Sequence, residues 1–244
     1  MFNLAFGSAR RGIVGNILQL ALACASWHSL EALPASAAWF PDPPTVRHYA
    51  WHYDLCEACE ALAPRPEWMH MAALAGIPKL RLLLSLDESN GPAYSAAPNV
   101  LVLTPAALKM DACQLAFVIG HEIVHIAQRH FDEDATAMLV YSGIPSNWTD
   151  KGEEALQLAD GDFGLALRVS HLWQDQEREA DWIGALLAAQ SCGCDIESSA
   201  LAYLRHESEA GGGLAAAHPA SMERVLRLLP FAESAKRLAE RSPR

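Results

Sequence analysis

What the chain has little of narrows its function first. Lys and Arg number 18 against 29 Asp and Glu, a formal charge of −11 over 244 residues, and no Lys/Arg-rich run occurs. A sequence-independent grip on a phosphate backbone needs such a run, so nucleic acid is not an expected partner. No apolar stretch reaches the roughly 20 residues that a bilayer-crossing helix requires. The nearest candidate, residues 12–25, is interrupted by Asn16 and Gln19. No internal repeat is visible. Only 19% of residues are charged and 51% are apolar, the composition of an Ala- and Leu-rich helical domain rather than of a disordered chain. One domain with a substantial core is expected at this length.

The first residues read as an export signal. Residues 1–11 carry Arg10 and Arg11 and no acid, an apolar run follows, and small-residue sites stand at Ala23-Cys24-Ala25 and Ala35-Ser36-Ala37. Residues 1–37 are therefore expected to be a signal peptide or N-terminal anchor with its linker, and 38–244 a single domain. Export would make the protein periplasmic or peripherally membrane-associated; an uncleaved leader would leave it cytoplasmic. In an oxidising compartment Cys56, Cys59, Cys192 and Cys194 would form disulfides, within or between the two close pairs. A four-cysteine metal site would need an uncommon spacing, and no βαβ pattern surrounds Cys56 to support a redox role. Cys113 reads as a small buried hydrophobe.

The pattern of apolar residues predicts helices over 46–62 and 67–75, then two strands, 79–86 and 99–103, forming a small antiparallel sheet. A helix capped by Asp111 should run to Arg129-His130, with another over 132–141. Residues 151–163 read as an acidic loop, 165–190 as a long helix, 195–209 as its resumption, 211–213 as a glycine hinge and 218–241 as the last helix.

Chemistry concentrates in His121-Glu122-Ile123-Val124-His125. On a helix, residues four apart share a face, so both imidazoles can reach one metal ion. Glu122 stands beside that face, where its carboxylate can hold a water and take its proton. A chance match on an ordinary amphipathic helix is the bland alternative, and the surroundings decide between them. A catalytic zinc takes three protein ligands and leaves a fourth position open. A third histidine in the metzincin manner would need Gly at 128 and His at 131, but the chain has Gln128 and Phe131, which excludes that class. Glu177-Arg178-Glu179-Ala180-Asp181 offers a glutamate instead, 56 residues after His121. Glu177 and Asp181 share a helix face, so one can bind metal while the other fixes the orientation of a ligand histidine. Ala180, Gly184 and Ala188 keep that face small enough for two helices to approach. Glu179, the rival ligand, points about 200° away from Glu177 around the helix.

H-E-x-x-H followed by Glu177-x-Glu179-Ala180-Asp181-x-x-Gly184 resembles the zinc peptidases of the type I CAAX prenyl protease and HtpX superfamily. His218-Pro219, with Arg224 five residues on, resembles its late His-Pro-x-x-x-x-Arg element, and the likeness extends loosely over residues 75–230. The resemblance implies a gluzincin-type, mainly helical α+β domain binding one Zn²⁺ through His121, His125 and Glu177, with Glu122 as base. It implies supporting roles for Asp181 and Arg224. His218 would stabilise the oxyanion, or else bind the metal and close the site. An edge strand carrying Tyr94 and Ser95 would pair with an extended protein or peptide substrate. Ser170-His171-Leu172-Trp173 departs from the Ser-Arg that often precedes the glutamate ligand. Without the membrane helices of the integral members, the chain is closest to the soluble, exported, BepA-like ones. The expected function is a zinc metalloendopeptidase acting on misfolded or envelope proteins; the alternative is a latent, metal-stabilised chaperone or binding module.

Overall fold

In the computed structural model, residues 46–51, 59–96, 98–144, 150–209 and 221–241 are described. Strand β1 (Glu60–Ala61) precedes helix α1 (Pro66–Leu74), then β2 (Arg81–Leu84), β3 (Ala93–Ala96), β4 (Val100–Leu103) and the short α2 (Pro105–Leu108). Helices α3 (Ala112–Gln128), α4 (His130–Tyr141), α5 (Gly152–Leu156), α6 (Phe163–Cys192), α7 (Ala202–Glu209) and α8 (Ser221–Arg241) follow. The fold is mainly helical with one small sheet, as the sequence predicts. The leader, Cys24, Cys56, the glycine hinge and His218 lie outside the described residues.

Both central helices begin where an aspartate can satisfy an otherwise orphaned amide. Asp111 accepts the Cys113 amide at 2.8 Å to start α3, and Asp162 accepts the Leu165 amide at 2.9 Å to start α6. Left-handed residues end them: Arg129 at φ 59° after α3 and Gly193 at φ 68° after α6. Between these ends Leu115, Ile119, Ile123, Ile183 and Leu187 are buried in the main core. One face of the sheet, Leu82, Leu101 and Leu103, closes that core from the other side.

The sheet corrects one expectation. Its order is β1-β2-β4-β3, and β2 and β4, the two runs expected to pair antiparallel, are parallel neighbours. The chain between them supplies β3, which turns back along the outer side of β4 as its antiparallel partner and forms one edge. The Asn90-Gly91-Pro92 bend, with Gly91 at φ 86°, therefore leads into β3 rather than joining β2 to β4.

Residues 46–51 correct a second, because they form no helix. Asp132, buried on α4, collects them instead. It accepts the Trp51 indole N–H at 2.8 Å and the Tyr49 amide at 3.4 Å, and contacts His48 Nδ1 at 3.1 Å. Tyr49 and Trp51, two residues apart, both reach Asp132 on α4 from this segment. Trp51 also covers Gly152, where a Cβ would meet the indole at 2.8 Å. Residues 151–163 accordingly hold α5 and a 3₁₀ turn (Gln157–Ala159) rather than only a loop.

The cysteines correct a third. Cys113 is bonded to Cys194, tying the start of α3 to the turn after α6 across 81 residues, and Cys192 is left as a thiol. Cys59 is disulfide-bonded as well. Spacing left pairing open within or between the two close pairs and gave Cys113 no partner; the antiparallel packing of α3 on α6 brings Cys113 to Cys194. Among the described residues no helix is long and apolar enough to cross a membrane.

Candidate metal centre

The histidines of α3 and the glutamate of α6 meet at the middle of the helix pair. The approach depends on two glycines. A Cβ on Gly120 would lie 2.7 Å from the Gly184 carbonyl oxygen, and one on Gly184 would lie 2.7 Å from the His121 amide nitrogen. The small face expected of Ala180, Gly184 and Ala188 thus meets its counterpart at Gly120, which the sequence did not single out.

His121 Nε2 and His125 Nε2 are 3.1 Å apart, and the two Glu177 oxygens stand 3.5 Å and 3.3 Å from them respectively. All three ligand atoms fall within 4.8 Å of one another. A tetrahedral ion with bonds of about 2.0–2.1 Å holds its ligand atoms about 3.3 Å apart, so the set fits Zn²⁺ in size and in donor chemistry. Two imidazole nitrogens turned toward each other and toward one carboxylate is the arrangement that a shared cation explains.

Around this set lies a ladder of charge. Asp181 Oδ1 is 3.2 Å from His121 Nδ1, and the buried Arg224 forks onto Asp181 through Nε at 2.7 Å and Nη2 at 2.5 Å. Arg224 Nη2 also stands 3.5 Å from Glu177 Oε2. Burial pushes the Asp181 carboxyl up, but the Arg224 fork overcomes it and holds the group below the usual carboxylate range. For His125 burial acts downward, and the Glu177 hydrogen bond with the Glu122, Glu177 and Asp134 charges outweighs it, so the net shift is upward.

His125 has a neighbour to which the sequence assigned no role. His130 Nδ1 lies 2.9 Å from His125 Nδ1, and His130 Nε2 faces Glu179 Oε2 at 3.7 Å. Burial drives the His130 pKa down to about 4. Glu179, turned away from Glu177 as the helix geometry required, serves this histidine instead. Had α3 continued unbroken, His130 would stand ~140° around the axis from His125. The left-handed Arg129 breaks the helix there and returns the ring.

The centre opens into a cleft of about 530 Å³ whose walls include Glu122, Tyr94 and Ser95 from β3, and Tyr203 and Glu207 from α7. Glu207 accepts the Ser221 hydroxyl at 2.9 Å and a longer contact from the Tyr203 hydroxyl at 3.4 Å. Burial, the largest influence, and the nearby Glu207 carboxylate push the Tyr203 hydroxyl well above the usual phenol range. Nothing in the sequence marked Tyr203, Glu207 or Ser221, because their helices close on the site only in three dimensions.

A model of peptidase family M48 matches residues 66–231. The chain belongs to family M48. That match spans most of the chain and contains the H-E-x-x-H helix, the Glu177 helix and Arg224. M48 membership makes the chain a metallopeptidase of a zinc-binding family acting on peptide or protein substrates, and it agrees with the HtpX-type resemblance. No curated protein and no solved structure matches the chain.

Proposed function

We propose that this M48 chain is an exported zinc endopeptidase that cleaves extended segments of unfolded or envelope proteins. The observation that carries the reading is one juxtaposition: His121, His125 and Glu177 converge beside Glu122 in a cleft also walled by β3, an edge strand of the sheet among the described residues. When bound, Zn²⁺ supplies Lewis acidity toward a carbonyl and toward water. Glu122 then acts as the base: its carboxylate takes the proton of the attacking water and delivers it to the departing amine. Arg224 Nη2, 3.5 Å from Glu177 Oε2, places a positive charge beside that carboxylate, and Asp181 Oδ1, 3.2 Å from His121 Nδ1, favours the tautomer that leaves Nε2 its lone pair.

Strand β3 supports an extended substrate. The Thr104 amide donates to the Pro92 carbonyl at 2.9 Å, and Tyr94 pairs with Val102 and Ala96 with Val100. In an antiparallel ladder the intervening residues, Ala93 and Ser95, therefore turn their N–H and C=O groups to the open edge. A peptide added there would be read through its backbone, with weak side-chain selectivity. The Cys113–Cys194 bond supports an oxidising compartment.

The test is cleavage of a permanently unfolded protein and of its folded counterpart by the purified chain. The reading expects the unfolded form to be cut internally, a chelator to stop cutting, and added zinc to restore it. Zinc bound at one per chain with no cleavage of any unfolded protein would favour the binding-module alternative.

A further inference from the structure

We infer that His130 is a positioning residue for the metal centre, holding the ring of His125 through the Nδ1–Nδ1 contact, with the Glu179 carboxylate as the charge that faces its far nitrogen. The inference rests on the zinc reading above and adds a second support to it. A histidine that offers Nε2 to a metal carries its proton on Nδ1, and that proton needs an acceptor. For His121 the carboxylate facing that nitrogen is Asp181, at 3.2 Å. For His125 the atom at 2.9 Å is His130 Nδ1. Only one proton fits between two ring nitrogens, so His130 must present a lone pair at Nδ1 and carry its own proton on Nε2. That nitrogen is buried with no hydrogen bond of its own among the described residues, and the Glu179 carboxylate 3.7 Å away is the negative charge that faces it.

The geometry is held from three sides. His130 is 2% exposed, its ring stands nearly perpendicular to that of His125 at 84°, and the Arg129 turn fixes where it leaves α3. The two ligand histidines are thus anchored differently, one by an Arg-clamped carboxylate and the other by a neutral ring. Because Glu179 lies on the same helix as Glu177 and Asp181, α6 supports both histidines as well as supplying the third ligand.

The test is zinc affinity by chelator competition on folded protein, with the melting temperature of the metal-free form measured alongside. His130→Leu removes the acceptor and should weaken zinc about 10- to 100-fold, the usual loss for such a partner. His130→Asn places an amide oxygen near the old Nδ1 and should restore most of that loss. Glu179→Ala removes the carboxylate facing His130 Nε2 and should weaken zinc several-fold, by more than any change in the metal-free melting temperature accounts for. Long-range ¹H–¹⁵N spectra of the zinc-loaded wild type should place the His130 proton on Nε2. Wild-type affinity in His130→Leu, equal losses in the Leu and Asn variants, an unchanged Glu179→Ala, or a proton on His130 Nδ1 would each overturn the inference. If His130→Leu does not fold, the Asn and Glu179 variants and the spectrum decide. A wild type that binds no zinc would overturn the proposed function itself, and this inference with it.

Discussion

Gly120 and Gly184 meet backbone to backbone where α3 crosses α6, with room for no methyl group on either: a Cβ on Gly184 would lie 2.7 Å from the His121 nitrogen and 2.8 Å from its Cα. The contact sits one residue from a proposed ligand, so packing and chemistry share a single tolerance. Gly184→Ala must push the helices apart, at about 1–3 kcal/mol for an overpacked core. It is expected to lower the metal-free melting temperature and also to weaken zinc. Calorimetry and zinc titration on the same preparation check both.

The Cys113–Cys194 bond closes a loop of 81 residues between the far ends of the same two helices. Chain-entropy reasoning assigns such a cross-link about 4.5 kcal/mol. Replacing both cysteines by serine should remove stability of that order, and reductant should cost the wild type at least as much, because it also opens the bond at Cys59. Cys192→Ser should change nothing in the oxidised protein. Denaturant melts with and without reductant distinguish the three.

The Arg224 guanidinium contacts both Asp181 and, at longer range, Glu177. Arg224→Met leaves two buried carboxylates uncompensated, which typically costs about 3–5 kcal/mol. Zinc would neutralise Glu177, so the loss should be smaller in the metal-loaded protein. Equal losses with and without zinc would argue against metal at Glu177.

Asp134 gives the pH dependence a sign. Burial, the largest influence, raises its carboxyl to about 7 from 3.8, against the Gln176 and Trp173 hydrogen bonds and the His125 charge, with Glu133 adding to the rise. The folded state thus binds this proton more tightly than the unfolded chain does. Its contribution is full below about pH 4, falls as pH rises toward 7, and stays lost above. Asp134→Asn keeps an acceptor for Gln176, which donates to Asp134 at 3.0 Å. The variant should melt higher than wild type at pH 8, with the gap closing toward pH 4. Melting curves across that range provide the check.

Much of the centre was legible because helix periodicity converts spacing into direction. His121 and His125 had to share a face, Glu177 and Asp181 had to share another, and Glu179 had to point elsewhere; the structure places all five so. The long helix α6 and the Asp111 cap were legible for the same local reasons. The unread parts depend on breaks in periodicity or on contacts between distant segments. His130 reaches His125 only because Arg129 adopts a left-handed turn, which no residue type there announces. The parallel β2–β4 pairing depends on where β3 folds back, and the Cys113–Cys194 bond on helix packing. Residues 46–51 form no helix because their contacts are to Asp132 on α4, a residue 83 positions on from Tyr49 and 81 from Trp51 that local pattern cannot show.

The most direct measurement is metal content and peptide cleavage on Glu122→Gln beside the wild type. Glu122 lines the cleft next to both proposed histidine ligands and is not one of the three converging groups. The variant should bind one zinc per chain with wild-type affinity, melt at the same temperature, and lose cleavage by several orders of magnitude. A Glu122→Gln protein that cleaves unfolded substrate at the wild-type rate would contradict the account.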